Sequence, residues 1–407
     1  MRRSLRKATH KQTRAHNRRL VLKTIYDHDQ ISRADVARAT RLTPPTVSDV
    51  VADLMESGLV EEVGYGPSAG GKPPILLSVV DDSHHLIGVD LASGEFRGAV
   101  VDLRGEIRHR VNLPLDSQDG DVALELAYEL IDDLVAATDR PLLGIGIGTP
   151  GLMDPVDGVV RRAVNLNWQD LPLRSLLHER YSLPVYVAND CQVAALAEYT
   201  FGDAKGGGDL IVIKVEHGVG AGIVLNGRLF YGDTFGAGEI GHVVVVEGGQ
   251  QCRCGNSGCL ETVVSARAIV RQAQAIARAN PDSLLHRFAA GAEDITIDEV
   301  CRAFDAGDED VHRLISEVGQ CLGIAVANII GVLSVRRIMI AGSLVCFGQA
   351  LLDVIRREMV ERSLALVAGE AQVGLSRIGP DMVILGASAL VLTRELGLLA
   401  SPAGGIY

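Results

Sequence analysis

The chain has 407 residues and a formal net charge of −12; 47% of the residues are hydrophobic but only 4% aromatic. That length exceeds one ordinary core and is expected to divide into two or three domains, while the aliphatic, glycine-rich balance suits a globular α/β protein. The longest apolar run, residues 318–335, carries Gln320, Asn328 and three glycines. It predicts a buried core helix and not a membrane span.

Charge is uneven along the chain. Residues 1–26 contain Arg2, Arg3, Arg6, Lys7, Lys11, Arg14, Arg18, Arg19 and Lys23 and no acidic residue. This asymmetry points to a nucleic-acid-facing end attached to a body that repels nucleic acid. No apolar segment follows these cations, so a secretory signal is not expected. Leu20, Val21, Ile25 and Tyr26 lie at helical spacing in a first helix expected over His16–His28. Ser32 is a good N-cap for a second helix running to about Ala39. Thr43 is expected to cap a third, with Pro44 at its first position and Val47, Val50, Val51 and Leu54 on its buried face. Gly58 ends that helix, and Leu59, Val60 and Val63 begin a strand. The pattern predicts a winged helix-turn-helix over residues 1–80. Its third helix would enter the major groove with Thr43, Thr46, Ser48 and Asp49 near its start, and Arg33 joins the DNA-binding residues. Because these helix side chains are short, affinity would rest on phosphate contacts from the basic arm and on a wing at Gly64–Pro74. Gly70, Gly71 and Lys72 of that wing suit a narrow minor groove.

After His85 the character changes. LIGVDLASGEFRGAVVDLRGEI reads as strands over 86–92 and 96–103, with another from Ile107. PLLGIGIGTPGLMDP is a buried strand ending in a Gly/Pro loop, and LPVYVANDCQVAALAEYTFG is strand, polar loop, helix. The form then repeats in DLIVIKVEHGVGAGIVLNGRLF, and RRIMIAGSL is a late buried strand. A first lobe over 81–199 and a second over 200–407 are expected, the C-terminal helix returning to the first. GEIGH and CRCGNSGCLE supply His242, Cys252, Cys254 and Cys259. One imidazole and three thiolates suit tetrahedral Zn²⁺, and four protein ligands make the site structural. Glu247 or His217 could replace His242 as fourth ligand. The remaining Cys191, Cys301, Cys321 and Cys346 stand singly in apolar surroundings. They read as reduced core residues of a cytoplasmic protein.

The two halves resemble the actin-like ATPase fold of sugar kinases. GIGIGTPGLMD, VANDCQVAALAE, GVGAGIVLNGRL, GAGEIGH and CRCGNSGCLE, in this order across roughly residues 85–390, resemble the ROK family (repressors, open reading frames and kinases), and the winged helix in front resembles its regulator branch. The resemblance implies an α/β chain: a winged helix-turn-helix followed by a two-lobed sugar-kinase fold. It places Asp190 where the kinases keep their catalytic base, Asn189 beside a neighbouring hydroxyl, and Glu239, His242, Glu261 and Asn165 around the sugar. His242 would then serve both metal and sugar pocket. The kinases resemble D-x-G-G-T-K at the first phosphate turn and G-T-G at the second. Here the corresponding residues are Asp90, Leu91, Ala92, Ser93, Gly94 and Glu95, then Glu216, His217 and Gly218. Glu95 and Glu216 would repel a phosphate chain by roughly 1 to 4 kcal/mol each. Bound ATP and Mg²⁺ are therefore not expected. The expectation is a non-enzymatic, sugar-responsive DNA-binding regulator that takes its sugar in a kinase-like cleft. It would act as a homodimer or homotetramer on operator DNA, without a membrane partner. The alternative is an active ATP-dependent sugar kinase carrying a DNA-binding domain.

Overall fold

The computed structural model describes residues 10–67, 73–92, 94–115, 119–203 and 207–398. Helix α1 spans His10–Asp27, beginning well before His16 because no glycine or proline interrupts the basic segment. Arg14 and Arg18 of α1 both reach the carboxylate of Asp53, at 3.0 and 3.1 Å. Strand β1 (Ile31–Ser32) leads into α2 (Arg33–Thr40), where the Ser32 hydroxyl accepts from the Asp35 N–H as a cap should. Helix α3 (Pro44–Glu56) buries Val47, Val50, Val51 and Leu54. Thr43 precedes it in extended backbone but makes no side-chain cap. Pro45 removes one of the two N–H donors a cap would bind, and the Thr43 hydroxyl sits 2.9 Å from that of Thr46 instead. Gly58 adopts φ +71° after the helix, a left-handed turn that glycine takes without strain. Strands β2 (Val60–Tyr65) and β3 (Ile75–Val79) pair antiparallel, and β1 joins the other side of β3. Gly70, Gly71 and Lys72 lie outside the described residues.

Strands β4 (His85–Ala92), β5 (Glu95–Val101) and β6 (Ile107–Pro114) form a meander, followed by α4 (Gly120–Ala136) and β7 (Leu142–Thr149). A small antiparallel sheet contains β8 (Leu152–Asp154), β9 (Val159–Ala163) and β10 (Trp168–Leu171). Helix α5 (Leu173–Tyr181) and β11 (Val185–Asn189) complete a five-stranded sheet of order β11-β7-β4-β5-β6. The chain continues through α6 (Asp190–Phe201), β12 (Leu210–Val215), β13 (Val219–Leu225) and β14 (Arg228–Leu229). Helices α7 (Glu261–Val264), α8 (Ala266–Ala279), α9 (Ile297–Asp305) and α10 (Glu309–Leu333) come next. After them stand β15 (Arg337–Gly342), α11 (Gly348–Arg362), α12 (Ala365–Ala368), β16 (Gln372–Leu375) and α13 (Met382–Val391). The second five-stranded sheet has order β14-β13-β12-β15-β16.

The chain divides into two compact units, Met1–Ile147 with Leu173–Tyr186 and Ala387–Tyr407, and Gly148–Pro172 with Val187–Gly386. In the first unit the winged helix is tied to the meander. The Tyr26 hydroxyl donates to the Leu103 carbonyl (2.8 Å), and Arg104 donates back to the Tyr26 carbonyl (2.7 Å) with its guanidinium over the Tyr26 ring. Burial pushes the Tyr26 hydroxyl up to about 12, so it stays a donor at neutral pH. Arg19 and Lys23 of α1 donate to the carbonyls of Arg394 and Leu398, at 3.4 and 2.9 Å. Cations thus satisfy orphan carbonyls at the end of the last helical turn among the described residues.

In the second unit, α10 lays Val318, Leu322, Val326 and Ile330 into a core shared with Ile211, Ile213, Ile338, Ile340, Leu351 and Ile355. By length and composition α10 could cross a membrane, but half of its most apolar window is buried inside the protein. Its start is held by Asp308, which accepts from Ser283 Oγ and from the N–H groups of Leu284, Asp310 and Val311. Burial pushes the Asp308 carboxyl up, but these donors outweigh it and hold the group below the usual carboxylate range. A depressed native value means the stability is present above the unfolded carboxyl's range and is lost as pH falls through the native one. Asp308→Ala is therefore expected to cost about 2 kcal/mol at neutral pH, and less in acid, by urea unfolding. An equal cost at both pH values would show that charge plays no part.

One cysteine expectation fails. Cys301 on α9 and Cys346 in the 3-10 turn Ser343–Phe347 are joined in a disulfide, with Cα atoms 6.1 Å apart. They are 45 residues apart in sequence and meet because α9 packs on that turn, which no local pattern reveals. Cys191 and Cys321 are free thiols.

Candidate functional site

The N-terminus of α6 carries VAND. Asn189 is its N-cap: its Oδ1 accepts from the Cys191 N–H (2.9 Å), and Gln192 closes a capping box. The Asn189 amide donates to the Gly151 carbonyl (3.0 Å). Asp190 is the first helical residue, and Lys214 Nζ, from the middle of β12, donates to its Oδ2 at 3.0 Å. The two side chains are only 20% and 14% exposed, so this ion pair is screened little by solvent. Strand β13 lies directly against the helix. A Cβ at Gly222 would collide with the Cys191 carbonyl, so GVGAG here serves close packing of strand on helix.

GEIGH is folded onto the outer side of the same strand. The Gly238 carbonyl accepts from Ala221 N–H (2.8 Å), and a Cβ at Gly238, whose φ is +99°, would strike the Ala221 carbonyl. That contact sets Glu239 near Asp190 and Glu261. Burial pushes the Glu239 carboxyl up, His242 pulls it back, and the charges of Asp190 and Glu261 raise it further. Glu261 opens α7, and its Oε2 accepts from the Val219 N–H (3.0 Å). Three carboxylates, a lysine and an imidazole therefore converge. Such a set offers acceptors and donors to neighbouring hydroxyls of a polyol and leaves them unpaired for a poor fit. Asn165 lies in the 3-10 turn Val164–Leu166. Among the described residues no hydrogen bond or ion pair joins it to this group.

His242, Cys252, Cys254 and Cys259 bring one ligand atom each within 4.8 Å of one another. Cys252 Sγ is 3.7 Å from His242 Nδ1, and Cys254 Sγ is 3.6 Å from Cys259 Sγ. Thiolates around a tetrahedral ion with bonds near 2.3 Å stand about 3.8 Å apart, so the donor set fits a metal. Cys252 N–H donates to the Asn256 carbonyl and Gly258 N–H to that of Gln250, which curls the loop around the thiols. Burial, then the two thiol neighbours, pushes Cys259 up to about 12, so its thiolate would need a cation beside it. His242 turns its other nitrogen, Nε2, toward Glu239 at 3.8 Å. Glu247 and His217 do not belong to this group.

The model of the ROK family matches residues 86–394, and a winged helix-turn-helix DNA-binding model matches 14–61. The chain belongs to the ROK family. The xylose repressor of Caldicellulosiruptor bescii is 33% identical over 385 residues, covering 93% of this chain and 96% of that one. A glucokinase of Halalkalibacterium halodurans is 34% identical over 314 residues, 76% of this chain and 95% of that one. Among solved structures, a ROK family transcriptional regulator, a homolog of the Escherichia coli MLC protein, superposes with a TM-score of 0.83 at 29% identity, covering 95% and 98% of the two chains. The architecture is thus a winged helix ahead of the ROK sugar-kinase fold.

In the β4–β5 hairpin and in the turn between β12 and β13, the chain's own groups are engaged with one another. Asp90 is 2% exposed and pairs with Arg97 across the β4–β5 ladder at 2.5 Å. Ala92 pairs with Glu95. In the second unit, Glu216 Oε2 accepts from the Ser343 hydroxyl at 2.7 Å, and its Oε1 lies over Gly342, 2.9 Å from where a Cβ would stand. Arg97, Lys214 and Ser343 were missed by sequence reasoning. Only Lys214 left a signal, a cation in the middle of an otherwise apolar strand.

The DNA-binding candidates are in mixed settings. Thr43 and Ser48 are exposed and Thr46 half-buried on the start of α3. Arg33 is paired with Glu62 on β2 at 2.9 Å. Of the nine cations in the basic segment, Arg14, Arg18, Arg19 and Lys23 anchor α1 to α3 and to the C-terminal carbonyls.

Proposed function

We propose that this ROK protein is a sugar-responsive transcriptional repressor without kinase activity. The observation that carries the proposal is the second phosphate turn, where Glu216, locked on Ser343 and lying over Gly342, puts a carboxylate where a kinase needs open backbone N–H groups. A chain that keeps the sugar-side carboxylates while its phosphate turns are engaged internally has the groups of a sensor. Asn165, Asn189, Asp190, Glu239, His242 and Glu261 are the sugar contacts in this reading. Residues 1–80 form the DNA-binding domain, 81–199 the first lobe and 200–407 the second. Thr43, Thr46 and Ser48 face the major groove, Gly70, Gly71 and Lys72 the minor groove, and Arg33 steadies the wing strand through Glu62. Zn²⁺ is the ion for His242, Cys252, Cys254 and Cys259, and its contribution is to hold the loop that carries Glu239 and Glu261. The protein acts in the cytoplasm as a homodimer or homotetramer, so its operator is near-palindromic, with half-sites whole helical turns apart. Sugar binding shifts operator affinity by favouring one of two states. The contacts of Arg19, Lys23, Tyr26 and Arg104 are the route by which the body turns the winged helix.

The test uses DNA selected by the protein from a random pool, with D-xylose, D-glucose, N-acetylglucosamine and cellobiose added in turn. At least one sugar is expected to change the mobility shift and the fluorescence of Trp168, the only tryptophan, which is 4% exposed. If none alters DNA binding, the repressor reading fails. ADP release with the same sugars is expected to equal that of Asp190→Asn, and turnover well above that variant would establish the kinase.

A further inference from the structure

The Cys301–Cys346 bond lies outside everything so far assigned a role. Operator DNA is read in a compartment where thiols are kept reduced, so a bonded pair there is one that forms and breaks. Cys346 is exposed and Cys301 half-buried, so Cys346 is the more open of the two to a soluble reagent. Their surroundings are ordered by Phe304 and Phe347, two aromatic rings edge to face at 5.2 Å from the two linked elements. The turn that carries Cys346 also carries Ser343, whose hydroxyl holds Glu216. Glu216 N–H in turn donates to the Gly218 carbonyl (2.9 Å), and the next residue, Val219, donates to Glu261. An unbroken series of bonded groups therefore runs from the disulfide to one carboxylate of the proposed sugar site.

We propose that Cys301 and Cys346 form a redox-modification site, a reversible dithiol–disulfide pair that sets the rigidity of the 216–219 turn and through it the readiness of Glu261. The link to sugar rests on the repressor reading given above; the redox site itself does not. The oxidant class is a low-molecular-weight disulfide of the glutathione type. The Cys346 thiolate attacks one sulfur of the reagent, forming a mixed disulfide as the reagent's S–S bond breaks and releases one thiolate. The Cys301 thiolate then attacks the Cys346 sulfur, forming the protein disulfide and releasing the second reagent thiolate. Two protein thiols are oxidised, one small disulfide is reduced to two thiols, and the two protons pass to the leaving thiolates. A dithiol reductant of the thioredoxin type reverses the sequence. In the oxidised form α9 and the 343–347 turn are tied, Ser343 is held on Glu216, and Glu261 is pre-organised for its ligand.

The full-length protein would be equilibrated with oxidised glutathione or with dithiothreitol and mapped by alkylation and peptide mass. Expected is a linked Cys301–Cys346 peptide only after oxidation, with Cys252, Cys254 and Cys259 unlinked. Amide exchange of the segment holding Glu216 and Val219 should be several-fold slower in the oxidised protein, and Cys346→Ser should lose that difference while keeping its fold. No linked peptide, or a linked peptide with unchanged exchange, overturns the proposal. D-xylose, D-glucose and N-acetylglucosamine are then titrated into both forms, with several-fold tighter binding expected in the oxidised one. If exchange responds but no sugar binds either form, the repressor reading falls and the redox site stands.

Discussion

Replacing Cys254 by serine is expected to abolish the metal and, with it, the response to sugar, while DNA binding and the helical content of the body persist. The reason is the position of the cluster. The buried core of the second unit draws mainly on β12, β13, β15 and helices α8 to α11, which contribute no donor to the cluster, although Leu260 beside Cys259 also belongs to it. The loop that does contribute runs between Glu239 and Glu261, and backbone bonds such as Cys252 N–H to Asn256 and Gly255 N–H to Cys252 curl it around the thiols. Without an ion, three thiols and an imidazole lose the common partner that holds them, and the flanking carboxylates lose their fixed separation. Pre-organisation of this kind supports affinity by removing an ordering cost on binding. A fall of at least about tenfold in sugar affinity is expected, from the size of supporting-shell effects at metal sites. Metal content by mass spectrometry, circular dichroism and sugar titration on the same sample decide it. A metal-free variant with normal sugar affinity would refute the role given to the loop.

Lys214→Met should be the most damaging single substitution near the carboxylates. Lys214 is the cation paired with Asp190 in a place where both side chains are mostly covered. Glu239 stands close enough to Asp190 to add repulsion. Removing one partner of a buried pair leaves an uncompensated charge and typically costs about 3 to 5 kcal/mol. The expected outcome is a loss of about 3 kcal/mol in urea unfolding at neutral pH. Asp190→Asn leaves the Lys214 ammonium covered without its carboxylate, so it too should be destabilised, and it should bind sugar roughly a hundredfold more weakly, the scale of a lost charged hydrogen bond. If Lys214→Met were as stable as the parent, the ion pair would be incidental to the fold.

Much of this protein is legible without coordinates. The winged helix follows from Ser32, the 47-50-51-54 spacing and Gly58, because local capping and helical periodicity act within a few residues. The His/Cys cluster could be named because one short loop supplies three of its members. Glu95 and Glu216 could be singled out because they stand inside otherwise recognisable motifs. The helix start at His10 was missed, since polar and basic residues carry no apolar period. The Thr43 cap was overestimated, since Pro45 had withdrawn a donor. What the fold alone decided is pairing between distant residues: Arg97 with Asp90, Lys214 with Asp190, Ser343 with Glu216, Arg19 and Lys23 with the last carbonyls, and Cys301 with Cys346. A side chain's chemistry is written in the sequence at its own position, but its partner is set by sheet register and helix packing, which sum weak contacts over the whole unit. Residue type and local spacing therefore told which groups the chain possesses; only the tertiary structure decided which of them neutralise one another.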